Sequence, residues 1–247
     1  MIVFEKERAI SGRQCIVTGA SRGIGRGIAR KLVSAGAHVL VCARSVDELE
    51  TLREESQEAP GRLDICHCDI SEPESVDAFY VHAHKTFEAL DLLVNNAGFG
   101  VFGTVDEVTL ADWDQVQQVN ARGTFHMAQQ AFRWMKGKGG GQIINISSVV
   151  GVKGYVNQVA YAAAKHAVMG ITKVLAREGQ QFGIRANAIC PGGVATEMVS
   201  QARPDLDPTE LIQVDDVVRA VTYLATEPVS CMTDLIELRR AGNTPFG

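Results

Sequence analysis

The chain has 247 residues, 46% of them hydrophobic and 21% charged, enough to bury one large α/β core without dividing. A net charge of −5 leaves no electrostatic footprint for nucleic acid. No apolar run approaches the ~20 residues of a membrane span, and the start, M-I-V-F-E-K-E-R, lacks the long apolar segment of a signal peptide, so a cytoplasmic protein with neither nucleic acid nor membrane as partner is expected.

The apolar run Cys15–Ile16–Val17 predicts a first strand over Gln14–Thr18. T-G-A-S-R-G-I-G, residues 18 to 25, follows it and opens a helical pattern at Ile24, Ile28 and Leu32, predicted over Gly23–Ala35. In such a strand, glycine turn and helix, glycines let backbone approach a pyrophosphate, and the helix N-terminus offers free N–H groups. The spacing is G-x-x-x-G-x-G, not G-x-G-x-x-G, and taken alone a tight βα turn explains it equally. Further strands are predicted at His38–Ala43, Leu63–Asp69, Leu90–Asn95, Gln142–Ile146, Ile184–Ile189 and Leu235–Leu238. Helices fall between them at Val46–Glu55, Pro73–Phe87, Ala111–Met135, Ala160–Phe182 and Asp215–Thr226. Ser71 ahead of Pro73 and Glu74 reads as a helix start, and Gly36, Gly137 and Gly183 read as helix stops. This alternation implies a parallel sheet covered by helices on both faces. Lys136–Gly141 is a solvated turn and not a linker, so residues 1–247 are expected to form a single domain.

Six cysteines are present, four of them in or beside predicted strands, where free Cys is usually a small buried hydrophobe. In Cys66-His67-Cys68 a strand turns His67 away from both thiols, and C-x-C lacks zinc-ligand spacing. His82 and His84, two apart on a helix, do not share a face. No metal site is expected.

The chemistry is concentrated in Y-A-A-A-K. Tyr161 and Lys165, four apart on a helix, lie on one face. An ammonium beside a phenol favours phenolate; moving a Tyr from about 10 toward neutrality takes roughly 4 kcal/mol of differential interaction. Ser148 stands thirteen residues earlier, at the end of the run Ile143–Ile146. N-N-A-G at 95 to 98, Asn120 and Pro191-Gly192 complete the set. Together these residues resemble the short-chain dehydrogenase/reductase family, from about Ser11 to Leu238. The stretch S-S-V-V-G…Y-A-A-A-K…L-A-R-E…G-I-R-A-N-A-I-C-P-G is most similar to its 3-oxoacyl-(acyl-carrier-protein) reductase branch.

The resemblance implies a Rossmann-type, doubly wound, seven-stranded parallel sheet in the order 3-2-1-4-5-6-7. Its dinucleotide-binding half would cover about 11–100, and its catalytic and substrate half about 101–240. Gly19, Ser21, Arg22, Gly23, Ile24 and Gly25 would meet the pyrophosphate end of the cofactor. Asp69 and Ile70 would meet the adenine, Asn96, Ala97 and Gly98 the adenosine ribose, and Pro191, Gly192, Val194 and Thr196 the nicotinamide carboxamide. Tyr161 would give a proton to the substrate oxygen. Lys165 would lower the Tyr161 pKa and hold the nicotinamide ribose, Ser148 would bind the same oxygen, and Asn120 would hold a water joining Lys165 to solvent. Where NAD enzymes of the family usually carry Asp this chain has Ala43, followed by Arg44, with Arg22 a second cation. An Arg pairs with a 2′-phosphate, so NADP(H) is expected over NAD(H), the bland alternative being two solvated surface arginines.

The expected activity is NADPH-dependent reduction of a 3-oxoacyl thioester, ketone or aldehyde to an alcohol. The alternatives are an NAD-linked secondary-alcohol or 3-hydroxy-acid dehydrogenase, and a non-catalytic nucleotide sensor, a kind that usually loses Tyr or Lys. A lid over Glu197–Val214, with Pro204 and Pro208 and only Met198, Val199, Leu206, Leu211 and Ile212 apolar, would face a wall of Val149, Val150, Val152 and Tyr155. That suits a small or linear carbonyl compound and not a deep steroid cleft. An acyl carrier protein would need a basic patch, to which Arg133, Lys136 and Lys138 could contribute, although Gln180, Gln181 and Phe182 are uncharged. The tail D-L-I-E-L-R-R-A-G-N-T-P-F-G departs from the V-[DN]-G-G of many relatives. Apolar residues on the two longest helices, among them Phe125, Phe132 and Val174, predict a homodimer or homotetramer.

Overall fold

Seven parallel strands form one sheet in the order β3-β2-β1-β4-β5-β6-β7 in a computed structural model that describes residues 10–228 and 230–244. The strands are β1 (Gln14–Thr18), β2 (His38–Ala43), β3 (Arg62–His67), β4 (Leu92–Asn95), β5 (Gly141–Ile146), β6 (Ile184–Pro191) and β7 (Leu235–Leu238). The helices are α1 (Gly23–Ser34), α2 (Val46–Glu55), α3 (Pro73–Thr86), α4 (Leu110–Gln117), α5 (Thr124–Lys136), α6 (Val159–Gly179), α7 (Glu197–Ala202) and α8 (Val214–Thr226). The fold is the doubly wound α/β sheet that the alternating pattern implied.

The inner strands are near-continuous apolar runs because both faces are covered. Alternation divides each strand between two cores. Cys15 and Val17 of β1 pack with Ile28 and Leu32 of α1 and Val218 and Leu224 of α8. Ile16, between them, packs on the other face with Phe79 of α3 and Met127 and Trp134 of α5. β7 is one of the two edge strands, opposite β3, and its side chains stay half or fully exposed.

Three predicted boundaries differ for physical reasons. The helix expected over Ala111–Met135 is broken by a π-helical turn, Gln118–Gly123, between α4 and α5. Close packing accompanies the break: a Cβ on Gly123 would lie 2.5 Å from the Ile70 carbonyl oxygen. β3 ends at His67, not Asp69, because Asp69 turns the chain: its Oδ1 accepts from the Ser71 amide (2.9 Å) and hydroxyl (2.7 Å). Ser71 is therefore engaged backwards, and Glu72 stands at the N-cap of α3 with Pro73 following.

Candidate active site

The carboxyl ends of β1, β4, β5 and β6 converge on one edge of the sheet, where ligands of such folds sit. At the end of β1 the Thr18 hydroxyl accepts from the amides of Asn96 and Ala97, both at 3.0 Å. Asn96 Nδ2 donates in return to the carbonyls of Thr18 (3.0 Å) and Gly19 (3.1 Å). The glycine turn is thus clamped to N-N-A-G. Gly19 has φ +65°, and a Cβ there would lie 2.7 Å from Ala97 Cα. On Gly25 a Cβ would lie 2.4 Å from both the Gly19 oxygen and Asn96 Nδ2.

α1 starts from this turn at Arg22 with no side-chain cap and no acid in its first turn. Its first amides therefore lack side-chain acceptors, beside the positive end of the helix dipole. An uncapped N-terminus reached over a floor of glycines fits the pyrophosphate of a dinucleotide. Ser21 and Ile24 are half-buried around it, and Arg44 is exposed beyond the buried Ala43. Arg22 is not a loose surface cation: its guanidinium pairs with Glu197, the first residue of α7. Thr196, just before, has its methyl 3.4 Å from where a Gly23 Cβ would be. Asp69 is half-buried, and Ile70 is buried against Gly123.

On the other side stands the proton chemistry. Ser148, at the end of β5, donates to the Pro191 carbonyl (3.3 Å) and stands close enough to the Tyr161 phenol to draw its pKa down. Ser147 turns away and donates to the Lys165 carbonyl (3.1 Å), so Ser148 is the serine that meets Tyr161. Gly151 permits this: a Cβ there would lie 2.5 Å from Ser147 Oγ and 2.9 Å from the Lys165 oxygen.

Lys165 is only 4% exposed. Its Nζ donates to the Ile146 carbonyl at 2.9 Å and lies 5.6 Å from the centre of the Tyr161 ring. Burial pushes Lys165 down to about 8. Burial also pushes the half-buried Tyr161 up to about 12, against the opposing pull of Ser148. The expected lowering of the Tyr161 pKa by Lys165 is therefore not what the protein alone shows. The ammonium is aimed at a carbonyl, and desolvation outweighs its field at the phenol.

Asn120 is fully buried in the π-helical turn. Its Oδ1 accepts from the Phe99 amide (3.0 Å) and its Nδ2 donates to the Phe99 carbonyl (2.7 Å). These two bonds fix the loop after N-N-A-G and leave one lone pair on Oδ1 and one N–H on Nδ2. A Cβ on Gly98 would lie 2.8 Å from Asn120 Oδ1 and 3.6 Å from Lys165 Nζ, which places these three together.

Two features were missed. Phe102 packs against Tyr161, ring centres 5.9 Å apart, and no local pattern announces it. Under the site, Asn95 Nδ2 donates to Asn145 Oδ1 (2.9 Å) and Asn145 Nδ2 to Thr172 Oγ1 (2.8 Å), tying β4, β5 and α6 together. The signal for that ladder was an Asn inside each of two apolar strands. Of the proposed wall, Val152 and Tyr155 are exposed, but Val150 is buried and faces inward. The lid is folded: Val194 is buried, Ala195 N donates to the Ile212 carbonyl (2.8 Å), and Ile212 N donates to the Gly193 carbonyl (3.1 Å). Among the described residues no group of three or more His, Cys, Asp or Glu side chains is gathered for a metal.

A family model described as short chain dehydrogenase matches residues 13–207. A 3beta-hydroxysteroid dehydrogenase of Mediterraneibacter gnavus is 36% identical over 192 residues, covering 77% of this chain and 69% of that protein. The 3-oxoacyl-(acyl-carrier-protein) reductase FabG of Aquifex aeolicus is 33% identical over 236 residues, 92% of this chain and 95% of that one. Among solved structures, an alcohol dehydrogenase from Thermococcus sibiricus complexed with 5-hydroxy-NADP has a TM-score of 0.87 and 28% identity, covering 95% of this chain and 99% of that one.

Proposed function

Because the chain belongs to the short-chain dehydrogenase family and is an oxidoreductase, we propose that it reduces a carbonyl compound with NADPH, using Tyr161 as proton donor. The observation that carries this reading is Lys165 buried behind Tyr161, its Nζ 5.6 Å from the ring centre, with Ser148 beside the phenol. The cofactor, when bound, supplies the hydride. Gly19, Gly23 and Gly25, with the amides opening α1, receive its pyrophosphate, and Ser21, Arg22 and Ile24 surround that end. Asp69 and Ile70 lie toward the adenine, Asn96, Ala97 and Gly98 toward the ribose, and Pro191, Gly192, Val194 and Thr196 toward the carboxamide. The hydroxyls of Ser148 and Tyr161 converge on the substrate oxygen. Ser148 holds it, Tyr161 protonates it, and Lys165 in its charged form stabilises the phenolate left behind. Asn120 keeps the N-N-A-G loop and the π-helical turn in place beside Lys165.

The substrate is read as a small or linear carbonyl compound, admitted past an open apolar rim of Phe102, Val152 and Tyr155. An acyl carrier protein would dock beside Arg133 and Lys138, which are exposed; Lys136 instead lies over the Phe182 ring at 4.2 Å. The chain is read as one cytoplasmic domain, and among the described residues no helix is long and apolar enough to cross a membrane. Phe125 on α5 and Val174 on α6, 46% and 53% exposed, offer a second copy an apolar face. NADPH oxidation against a panel of ketones, aldehydes and an acetoacetyl thioester tests the reading, and no turnover with any of them would sink it.

One observation favours a second reading, an NAD-linked dehydrogenase. Glu197 already neutralises Arg22, which leaves Arg44 to recognise a 2′-phosphate. Arg44→Asp is expected to lower the NADPH/NADH ratio of kcat/KM by roughly 10- to 100-fold, the scale of a lost charge-assisted hydrogen bond. An unchanged ratio would assign the phosphate to Arg22 or to neither.

The pH profile follows from the two shifted groups. Tyr161, near 12, keeps its proton throughout the working range. Lys165, near 8, is charged below that pH and neutral above it. Carbonyl reduction should therefore plateau below about pH 8 and fall above it as the cation is lost. A kcat/KM that climbs through pH 8 to 10 in the reducing direction would contradict the assignment.

A further inference from the structure

The loop after N-N-A-G is tied down along its length. Phe99 is bonded to Asn120 at both its amide and its carbonyl. Gly103 N donates to the Asn157 carbonyl (3.0 Å), and Gly103 pairs with Gln158 in an isolated parallel bridge. Thr104 N donates to Glu107 Oε2 (3.1 Å). Phe99 and Val101 pack with Val116, Ala160 and Ala164. Phe102 lies instead against the reacting phenol, its ring centre 5.9 Å from that of Tyr161.

Gly100 seats the far end of the Phe102 ring. The φ of Gly100 is not in the left-handed range, so the backbone does not require glycine there. A Cβ would lie 2.6 Å from Phe102 Cζ, 3.0 Å from Cε2 and 3.3 Å from Cε1. The ring thus occupies the room that a side chain would take. It is held between Gly100 and Tyr161, on a loop fixed before and after it, and is still 38% exposed. Exposed apolar surface continues on both sides of the Gly103–Asn157 joint, with Val105 on one and Tyr155 and Val156 on the other. An aromatic ring already fixed in place, with part of its surface open, can receive an apolar group at little cost in ordering.

We propose that Phe102 determines specificity by receiving an apolar chain of the substrate, which makes longer unbranched alkyl ketones and aldehydes the preferred class over their shortest homologues. The carbonyl oxygen lies at Ser148 and Tyr161, and the chain leaves across the Phe102 ring toward Tyr155 and Val156. This rests on the carbonyl-reductase reading of the same site.

The test is a homologous series, 2-butanone, 2-hexanone and 2-octanone, with NADPH. Each buried methylene is worth up to roughly fourfold, so wild-type enzyme should favour 2-octanone over 2-butanone by at least about tenfold in kcat/KM. Phe102→Ala should lower that ratio at least fivefold, through KM more than kcat, and Phe102→Leu should retain part of it. Gly100→Ala drives the ring off its seat and should lower the ratio as well. A wild-type ratio near one, or an unchanged ratio in Phe102→Ala or Gly100→Ala, overturns the proposal. A higher ratio in Phe102→Ala overturns it too, because the ring would then exclude the chain. A calorimetric titration of 2-octanone into enzyme saturated with NADP⁺, where no hydride can reach the ketone, gives a readout without turnover. Binding at least fivefold weaker in Phe102→Ala supports the proposal. Equal binding overturns it, and if light scattering then shows a lower mass for the variant, the exposed ring belongs to a contact between copies of this chain. If no carbonyl compound turns over, the reading of the reaction fails, and the titration still decides Phe102.

Discussion

Replacing Tyr161 by phenylalanine should cut turnover by roughly 10²–10⁴-fold, the usual contribution of a positioned acid, while leaving NADPH affinity nearly unchanged. The substitution removes one oxygen. The ring still has Phe102 to pack against. Ser148 keeps its bond to the Pro191 carbonyl, and Lys165 keeps its bond to the Ile146 carbonyl. What disappears is the phenol hydroxyl that stands beside Ser148. Steady-state NADPH oxidation and a fluorescence titration of NADPH separate the two quantities. A variant retaining more than a tenth of the wild-type rate would remove Tyr161 from the mechanism.

Gly25→Ala should have its large effect on cofactor binding. The added methyl would sit 2.4 Å from the Gly19 oxygen and from Asn96 Nδ2, and 2.9 Å from the Gly19 carbonyl carbon. Two of those three atoms are backbone, and the third is an amide holding the carbonyls of Thr18 and Gly19. No side chain can swing aside to relieve the crowding. Overpacking of this kind typically amounts to about 1–3 kcal/mol. If the strain falls on the turn, cofactor affinity drops by roughly 5- to 150-fold, with a lower Tm. Titration of NADPH against wild type and variant checks it, and an unaltered Kd would mean that the turn does not carry the pyrophosphate.

Much of the fold and part of the site were written locally. β1 and β2 are runs of β-branched and apolar residues, and their limits could be read directly. Tyr161 and Lys165 share a helix face by spacing alone, and thirteen residues pointed to Ser148 over Ser147. What escaped reading depends on atoms distant along the chain. Arg22 meets Glu197 across 175 positions, and no local pattern encodes such a pairing. Val150 lies in an unbroken valine pair, and only the packing of α6 decides which one turns inward. The Tyr161 pKa was misjudged because helical spacing reports proximity to Lys165 and says nothing about the water excluded from both. The break before α5 was hidden because Val116 and Val119 continue the helical period across it. The clue was Asn120, a poor residue for a helix interior.

That break fixes a rotational phase. α4 is set by Val116 against Ala160 and Ala164 at the start of α6, whereas α5 is set by Met127, Ala128 and Ala131 against the sheet. An α-helix turns about 100° per residue, and the wide turn at Gln118–Gly123 lets these two demands differ. An α-helical path through the same residues, without the wide turn, would swing all of α5 by about that angle. Met127 would leave the core, and a polar neighbour such as His126 or Gln130 would be driven toward it. The stretch is therefore a gearing between two fixed surfaces, and its length is less free to vary than that of any exposed loop beside the site.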